Sequence, residues 1–404
     1  MKKITIFGKE IIDANAIAQI ERCFSDDDIA VLTADAHSGY SMPIGGCVAY
    51  KNKVSPSGVG YDIGCGNAAA RTTIKACDVD VPLIMNEIFK NISFGVGRPN
   101  NDKVDHGIFD LINNADFEPQ RKLLQLAKAQ LGTVGSGNHF VNLHEDEDGY
   151  LWIAVHFGSR GFGHKTASGF IAMANGLDFD AKGKEGHMDS PPILFDADSY
   201  TGQAYLSAMN IAGQYAFAGR ETVINKVLSI LGTNEITKMV HNNHNFCWIE
   251  EHFGEKYYVV RKGCTPAFPN QQGFIGANMR DTSVIVEGVD SELSRNGLYS
   301  TVHGAGRILS RAQAAGKKKW MRDESGKKRP VIIGKGLVDW DSVREEMKSS
   351  NVELRGAGAD EAPECYKSLE EVLKYQGGTI KIVHKLRPIG VAMAGGDEFD
   401  PYKD

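Results

Sequence analysis

Apolar positions along the chain fall into a few recurring patterns. Short uninterrupted runs predict buried strands at LWIAVHF (Leu151 to Phe157), YYVVRKG (from Tyr257) and TSVIVEG (from Thr282). Leu123, Leu124, Ala127 and Leu131 recur at helical spacing within Phe117 to Leu131 and stop at Gly132, so a helix is expected there. A longer helix is predicted from about Tyr200 to Leu231, capped by Asp198 and ended by Gly232. Another is expected from near Gly304 to about Ala315. The first 70 residues include DAHSGYSMPIGGCVAY and SPSGVGYDIGCGNAAA, both dense in glycine and turn residues. Glycine costs about 1 kcal/mol per helical position, so short strands joined by tight loops are expected. Helices and strands mix without regular βαβ alternation, which predicts an α+β fold with mixed and antiparallel sheets surrounded by helices. No repeat, low-complexity tract or Pro/Ser-rich linker divides residues 1–404, so one large catalytic domain is expected.

Composition narrows this picture only slightly. The chain has 404 residues, 42% hydrophobic and 24% charged, which excludes disorder or coiled coil as a description of the whole. Its 45 Lys plus Arg against 51 Asp plus Glu give a net charge of −6, so any nucleic-acid surface must be a local patch. One such patch is KKKWMRDESGKKR, Lys317 to Arg329, which either contacts an RNA backbone with Trp320 stacking on a base or is a solvated hairpin or loop. No apolar run approaches the roughly 18 residues needed to span a membrane, and the first residues lack a secretory pattern. A cytoplasmic location is therefore expected, with the 7 cysteines buried, reactive or metal-bound rather than paired.

The 45 glycines cluster beside His, Cys and Asp. In Asp62-Ile63-Gly64-Cys65-Gly66 a carboxylate and a thiol three apart can point at one metal, or can be a turn aspartate and a buried cysteine. His139 follows GTVGSG and Asn138, His156 ends the LWIAV strand, and His244-Asn245 lies within HNNHNFCW. Together with Asp62 and Cys65 they favour a metal site. A thiolate among imidazoles and a carboxylate suits zinc, iron, cobalt or manganese, and a bridging thiolate allows two ions with open positions. If a helix starts at Gly304, His303, Arg307 and Arg311 share one face below an N-terminus that favours phosphate; two solvated arginines are the plainer alternative. Gly158-Ser159-Arg160-Gly161 and Arg261-Lys262-Gly263 add weaker anion contacts.

GVGYDIGCG, GSGNHF, HFGSRG, HNF before a glutamate pair, RKGCTPA and HGAGRILSR occur in this order, and together they resemble the RtcB family of RNA ligases over nearly the whole chain. The resemblance implies a GTP- and manganese-dependent enzyme joining an RNA 3′-phosphate or 2′,3′-cyclic phosphate to a 5′-hydroxyl, in RNA repair or tRNA splicing. By motif, Cys65 would bridge two Mn²⁺ ions, with Asp62 and His139 on one and His156 and His244 on the other. His303 would carry GMP, oriented by Asp35. Asn138, Asn245, Gly304, Ala305, Gly306 and Tyr366 would border the nucleotide, and Arg160, Arg307 and Arg311 would hold RNA phosphates. The resemblance leaves room for an archease-type activator and implies a monomer.

Three departures from the family pattern bear on substrate choice. The tail reads Gly390-Val391-Ala392-Met393-Ala394-Gly395, without the lysine the family usually has there. Asn142 replaces a common glutamate, and Ala277-Asn278-Met279-Arg280 replaces a GSMG stretch. The missing lysine and Asn142 motivate one alternative to a ligase, a metal-dependent phosphodiesterase or phosphatase acting on RNA ends. A silent RNA-end-binding protein is a further alternative, against which the intact candidate ligands argue.

Overall fold

The computed structural model describes residues 3–181, 188–322, 328–396 and 398. It is an α+β fold built on two sheets. The larger has eight strands: Gln272–Ile275, Ser283–Gly288, Ile380–Gly395, Phe140–Glu145, Tyr150–Phe157, Gly66–Lys75 and Ile236–Asn243 in that order, with Glu353–Ala357 pairing in parallel to Ile380–Gly395. The other pairings are antiparallel. The smaller sheet orders Lys3–Ile6, Ile29–His37, Ile44–Tyr50, Glu255–Lys262 and Asn245–His252. A two-stranded piece, Cys264–Pro266 with Ser300–Val302, lies just before His303.

Register decides where the chemistry gathers. In the larger sheet Phe140 pairs with His156, His156 with Asn67, and Asn67 with Asn242. His139, Cys65 and His244 each lie one or two residues beyond these positions, so four adjacent strands deliver their donors to the same sheet end. The edge is closed by side chains: Asn67 Nδ2 donates to Phe274 O (3.0 Å), and Asn242 Oδ1 accepts from Phe274 N (3.0 Å). A backbone His244 N–H to Cys65 O bond of 2.8 Å continues the ladder into the donor loops.

The long helix Tyr200–Leu231 is present and ends at Gly232, whose φ of 73° is the left-handed conformation glycine adopts freely. Its cap is Ser199, which accepts from Gly202 N, rather than Asp198. Tyr205 and Tyr215 on it pack with Phe162 and Phe170 of helix Arg160–Ala174 in one continuous core. The helix expected over Phe117 to Leu131 is two short ones, Glu118–Arg121 and Leu124–Gln130. The first 70 residues contain strands of seven to ten residues, longer than expected, and a helix, Ala14–Glu21.

The helix expected from Gly304 begins only at Arg311, where Ser310 and Gln313 form a capping box, and ends at Ala315. Residues 304–310 instead pair with the segment around 365–367: Ile308 N donates to Cys365 O (2.8 Å) and Lys367 N to Gly306 O (2.9 Å). Gly306 has φ +78°, and a Cβ there would lie 2.2 Å from Asp35 O. His303, Arg307 and Arg311 therefore do not form a stripe on one helix. In the basic tract, Lys318–Arg322 pairs with Lys328–Ile332, while residues 323–327 and the Trp320 side chain lie outside the described residues.

Candidate metal and nucleotide site

Two donor groups share one thiol. Asp62, Cys65 and His139 offer ligand atoms within 4.8 Å of one another, and so do Cys65, His156 and His244. Cys65 Sγ lies 3.7 Å from both His139 Nε2 and His156 Nε2. Asp62 Oδ2 lies 3.2 Å from His139 Nε2. His156 stacks on His244 with centroids 5.1 Å apart. The glycines beside these residues permit the approach: a Cβ on Gly158 would stand 2.3 Å from the Asp62 carboxylate.

Electrostatics prepares the cluster for a cation. Burial pushes His156 and His244 well below the ordinary imidazole value, so both are neutral imidazoles at pH 7. Burial, reinforced by Asp62, pushes the Cys65 thiol well above its ordinary value, so only a cation would make it a thiolate. Burial alone would raise Asp62, but His139 and Arg160 hold it at about 2. Nδ1 of His139 and of His244 is buried with no hydrogen-bond partner among the described residues. The sulfur, imidazole and carboxylate set fits one or two divalent transition ions sharing Cys65.

Two residues without an earlier assignment hold the cluster in place. Asn67 Oδ1 meets His156 Nδ1 at 2.8 Å. The Asn67 amide nitrogen is committed to Phe274 O, so its oxygen faces the ring, Nδ1 donates, and the Nε2 lone pair faces Cys65. Arg220, fully buried on the long helix, donates to Gly64 O (2.8 Å), Phe157 O (2.6 Å), His241 Nε2 (2.7 Å) and Asn243 Oδ1. Those acceptors flank Cys65, His156 and His244, so one guanidinium ties three donor-bearing segments. Burial brings its pKa down to about 10. His241 thus serves Arg220 and stacks on Phe217, while His244 joins the donors. The sequence signals were slight: a polar residue in an alanine-rich strand and an arginine directly after the small residues Ala218 and Gly219 of the long helix.

His303 borders the cluster, its ring 4.8 Å from that of His244. Asp35, fully buried, accepts from His303 Nδ1 (2.6 Å), His303 N (3.0 Å) and Gly304 N (3.3 Å) through Oδ2, and from the Thr33 hydroxyl (2.6 Å) through Oδ1. Although burial opposes it, His303 holds the Asp35 carboxyl below its ordinary value. Because Asp35 accepts at Nδ1, a neutral His303 ring presents its lone pair at Nε2.

A cavity of about 700 Å³ opens over these groups and is bordered also by Asn138, Asn245, Arg160, Gly304, Ala305, Gly306 and Tyr366. Asn245 Oδ1 accepts from Gly263 N (2.7 Å). On the cavity floor Phe140, Asn142, Val391 and Met393 are neighbours in strand register. Two of the three departures noted in the sequence, Asn142 and the tail around Val391 and Met393, thus lie side by side against the cavity. Asp360 and Glu361, not anticipated from sequence, engage the arginines. Arg307 donates to Asp360 O (2.8 Å) and Tyr366 Oη (2.9 Å), and Arg311 to Asp360 Oδ2 (3.0 Å) and Glu361.

Among the described residues no helix is long and apolar enough to cross a membrane. A family model described as "tRNA-splicing ligase RtcB" matches residues 16–119 and 107–394. The tRNA-splicing ligase RtcB of Nanoarchaeum equitans (strain Kin4-M) is 30% identical over 440 aligned positions, covering 89% of this chain and 87% of that protein. The RNA-splicing ligase RtcB of Escherichia coli (strain K12) is 30% identical over 397, covering 89% and 88%. The tRNA-splicing ligase RtcB of Thermococcus kodakarensis is 29% identical over 444, covering 90% and 87%. With matches spanning its length and the motif residues gathered around one cavity, the chain belongs to the RtcB family.

Proposed function

We propose that this chain is an RNA ligase that joins 3′-phosphate or 2′,3′-cyclic phosphate ends to 5′-hydroxyl ends, using GTP and two Mn²⁺ ions, with His303 as the GMP carrier. The relatives' names supply the ligase class. The observation that carries the chemistry is the Asp35–His303 pair beside a donor set that shares Cys65. Asp62, Cys65 and His139 would hold one ion, and Cys65, His156 and His244 the other; such ions supply Lewis-acid polarisation of phosphate oxygens.

Asp35 fixes the His303 tautomer, so Nε2 can attack the α-phosphorus of GTP in line, forming a P–N bond as pyrophosphate leaves. GMP then passes to the RNA 3′-phosphate, and the 5′-hydroxyl displaces it. Arg160, Arg307 and Arg311 border the path of these phosphates.

GTP labelled at the α-phosphate, incubated with the protein and Mn²⁺, is expected to leave an acid-labile label that His303→Ala abolishes. If metal binds and no adduct forms, while cyclic-phosphate RNA is opened without GTP in both proteins, the phosphodiesterase reading replaces this one.

A further inference from the structure

Two cavities meet around His37, Tyr40, Asp62, Asn245, Arg307 and Arg311, and His303 lines the first of them. A second, of about 950 Å³, runs outward between residues 10–13, 38–41, 188–193 and 308–313. Joining two RNA ends requires a hydroxyl to lose a proton where the ends converge, so the base should border both cavities. Few side chains do. Asp62 belongs to the metal donors, Asn245 is bound to Gly263, and the remaining polar residues are tyrosines and arginines, protonated near neutral pH. That leaves His37.

His37 ends strand Ile29–His37, two residues after Asp35. Its Nδ1 lies 3.2 Å from Asp35 O. A carbonyl oxygen only accepts, so Nδ1 donates and Nε2 keeps its lone pair. Burial, helped by His303 and Arg307 and opposed by Asp35, sets its pKa at about 4, so the ring is neutral at pH 7.

We propose that His37 is the general base for the joining step, an inference that rests on the ligase reading above. The O5′–H bond breaks as its proton moves to His37 Nε2, the O5′–P bond forms, and the P–O bond to GMP breaks with its electron pair leaving on GMP. His37 then returns its proton to water. Transfer of GMP to His303 and on to RNA needs no such base, because imidazole and phosphate oxygens attack already deprotonated.

The test separates the steps in the full-length protein. His37→Asn keeps an amide able to donate to Asp35 O but lacks a basic nitrogen. His303 labelling by GTP and capping of a 3′-phosphate RNA are expected to stay within about threefold, while sealing of pre-capped RNA to a 5′-hydroxyl strand falls about 10²–10⁴-fold. Added imidazole should restore sealing in His37→Ala, which a merely structural role would not allow. Equal losses in labelling and sealing, sealing that persists, or failed imidazole rescue would each overturn the assignment. Wild-type protein that binds Mn²⁺ but never labels His303 would instead overturn the ligase reading, and this proposal with it.

Discussion

The donor cluster and the arginine wall face the same cavity, yet they are prepared for their ligands in opposite ways. Around Cys65, neutral imidazoles and a protonated thiol are buried with ring nitrogens unpartnered among the described residues. Around Arg307 and Arg311, each guanidinium already has oxygen partners from Asp360, Glu361 or Tyr366. Buried polar groups without partners cost roughly 1–3 kcal/mol each. The first region therefore gains by taking up a cation, whereas the second must exchange a carboxylate for any phosphate it holds. Metal loading should thus precede and outlast RNA binding.

The largest break in that contrast should come from Cys65→Ala, which removes the atom common to both donor groups. Equilibrium dialysis with Mn²⁺ is expected to fall from two ions per chain to one or none, and His303 labelling to disappear. Two ions retained would sink the shared-thiolate arrangement.

Arg220→Met, matched in volume, leaves Gly64 O and Phe157 O buried without their donor. A loss of about 3 kcal/mol or more in urea unfolding is expected. Weaker Mn²⁺ binding is expected as well, since three donor segments lose a common tie. An unchanged midpoint would show that the helix merely covers the site.

On the wall, Glu361→Gln removes a negative charge from Arg311 and should tighten binding of 3′-phosphate RNA about fivefold, equivalent to roughly 1 kcal/mol. Unchanged or weaker binding would mean that the carboxylate does not compete with phosphate.

A last variant isolates acid sensitivity. His144, buried and outside the donor groups, has a folded pKa of about 3 because burial disfavours its charge. The unfolded chain takes up that proton near pH 6.5 and the folded chain does not, so stability falls as pH drops between about 6.5 and 3. Each such histidine contributes about 1.4 kcal/mol per pH unit in that window. His144→Leu should flatten the metal-free protein's acid slope by about one proton between pH 6 and 4, and an unaltered slope would assign the sensitivity to other groups.

Local pattern made the long helix and the three apolar strands readable, because period and terminal glycine act within a few residues. The same local reasoning failed at Gly304: glycines and a histidine resembled a helix start, but the backbone of 306–308 pairs with 365–367, some 60 residues away. The cluster members Asp62, Cys65, His139 and His156 were readable as candidates because each lies within two residues of a glycine, and His244 because it sits in the polar run HNNHN ahead of a strand. Asn67, Arg220, Asp360, Glu361 and His37 were passed over, since each has its role through a partner distant in sequence.

The sequence by itself determined which chemistry was available: one thiol, several imidazoles and a carboxylate, set in glycine-rich turns that allow close approach. Only the tertiary structure decided that these groups meet. Strand register brings residues 65, 139, 156 and 244 to one end of a sheet, and register depends on pairings between distant segments. It also decided protonation and tautomer, because Asp35, Asn67 and burial act through space on His303, His156 and Cys65.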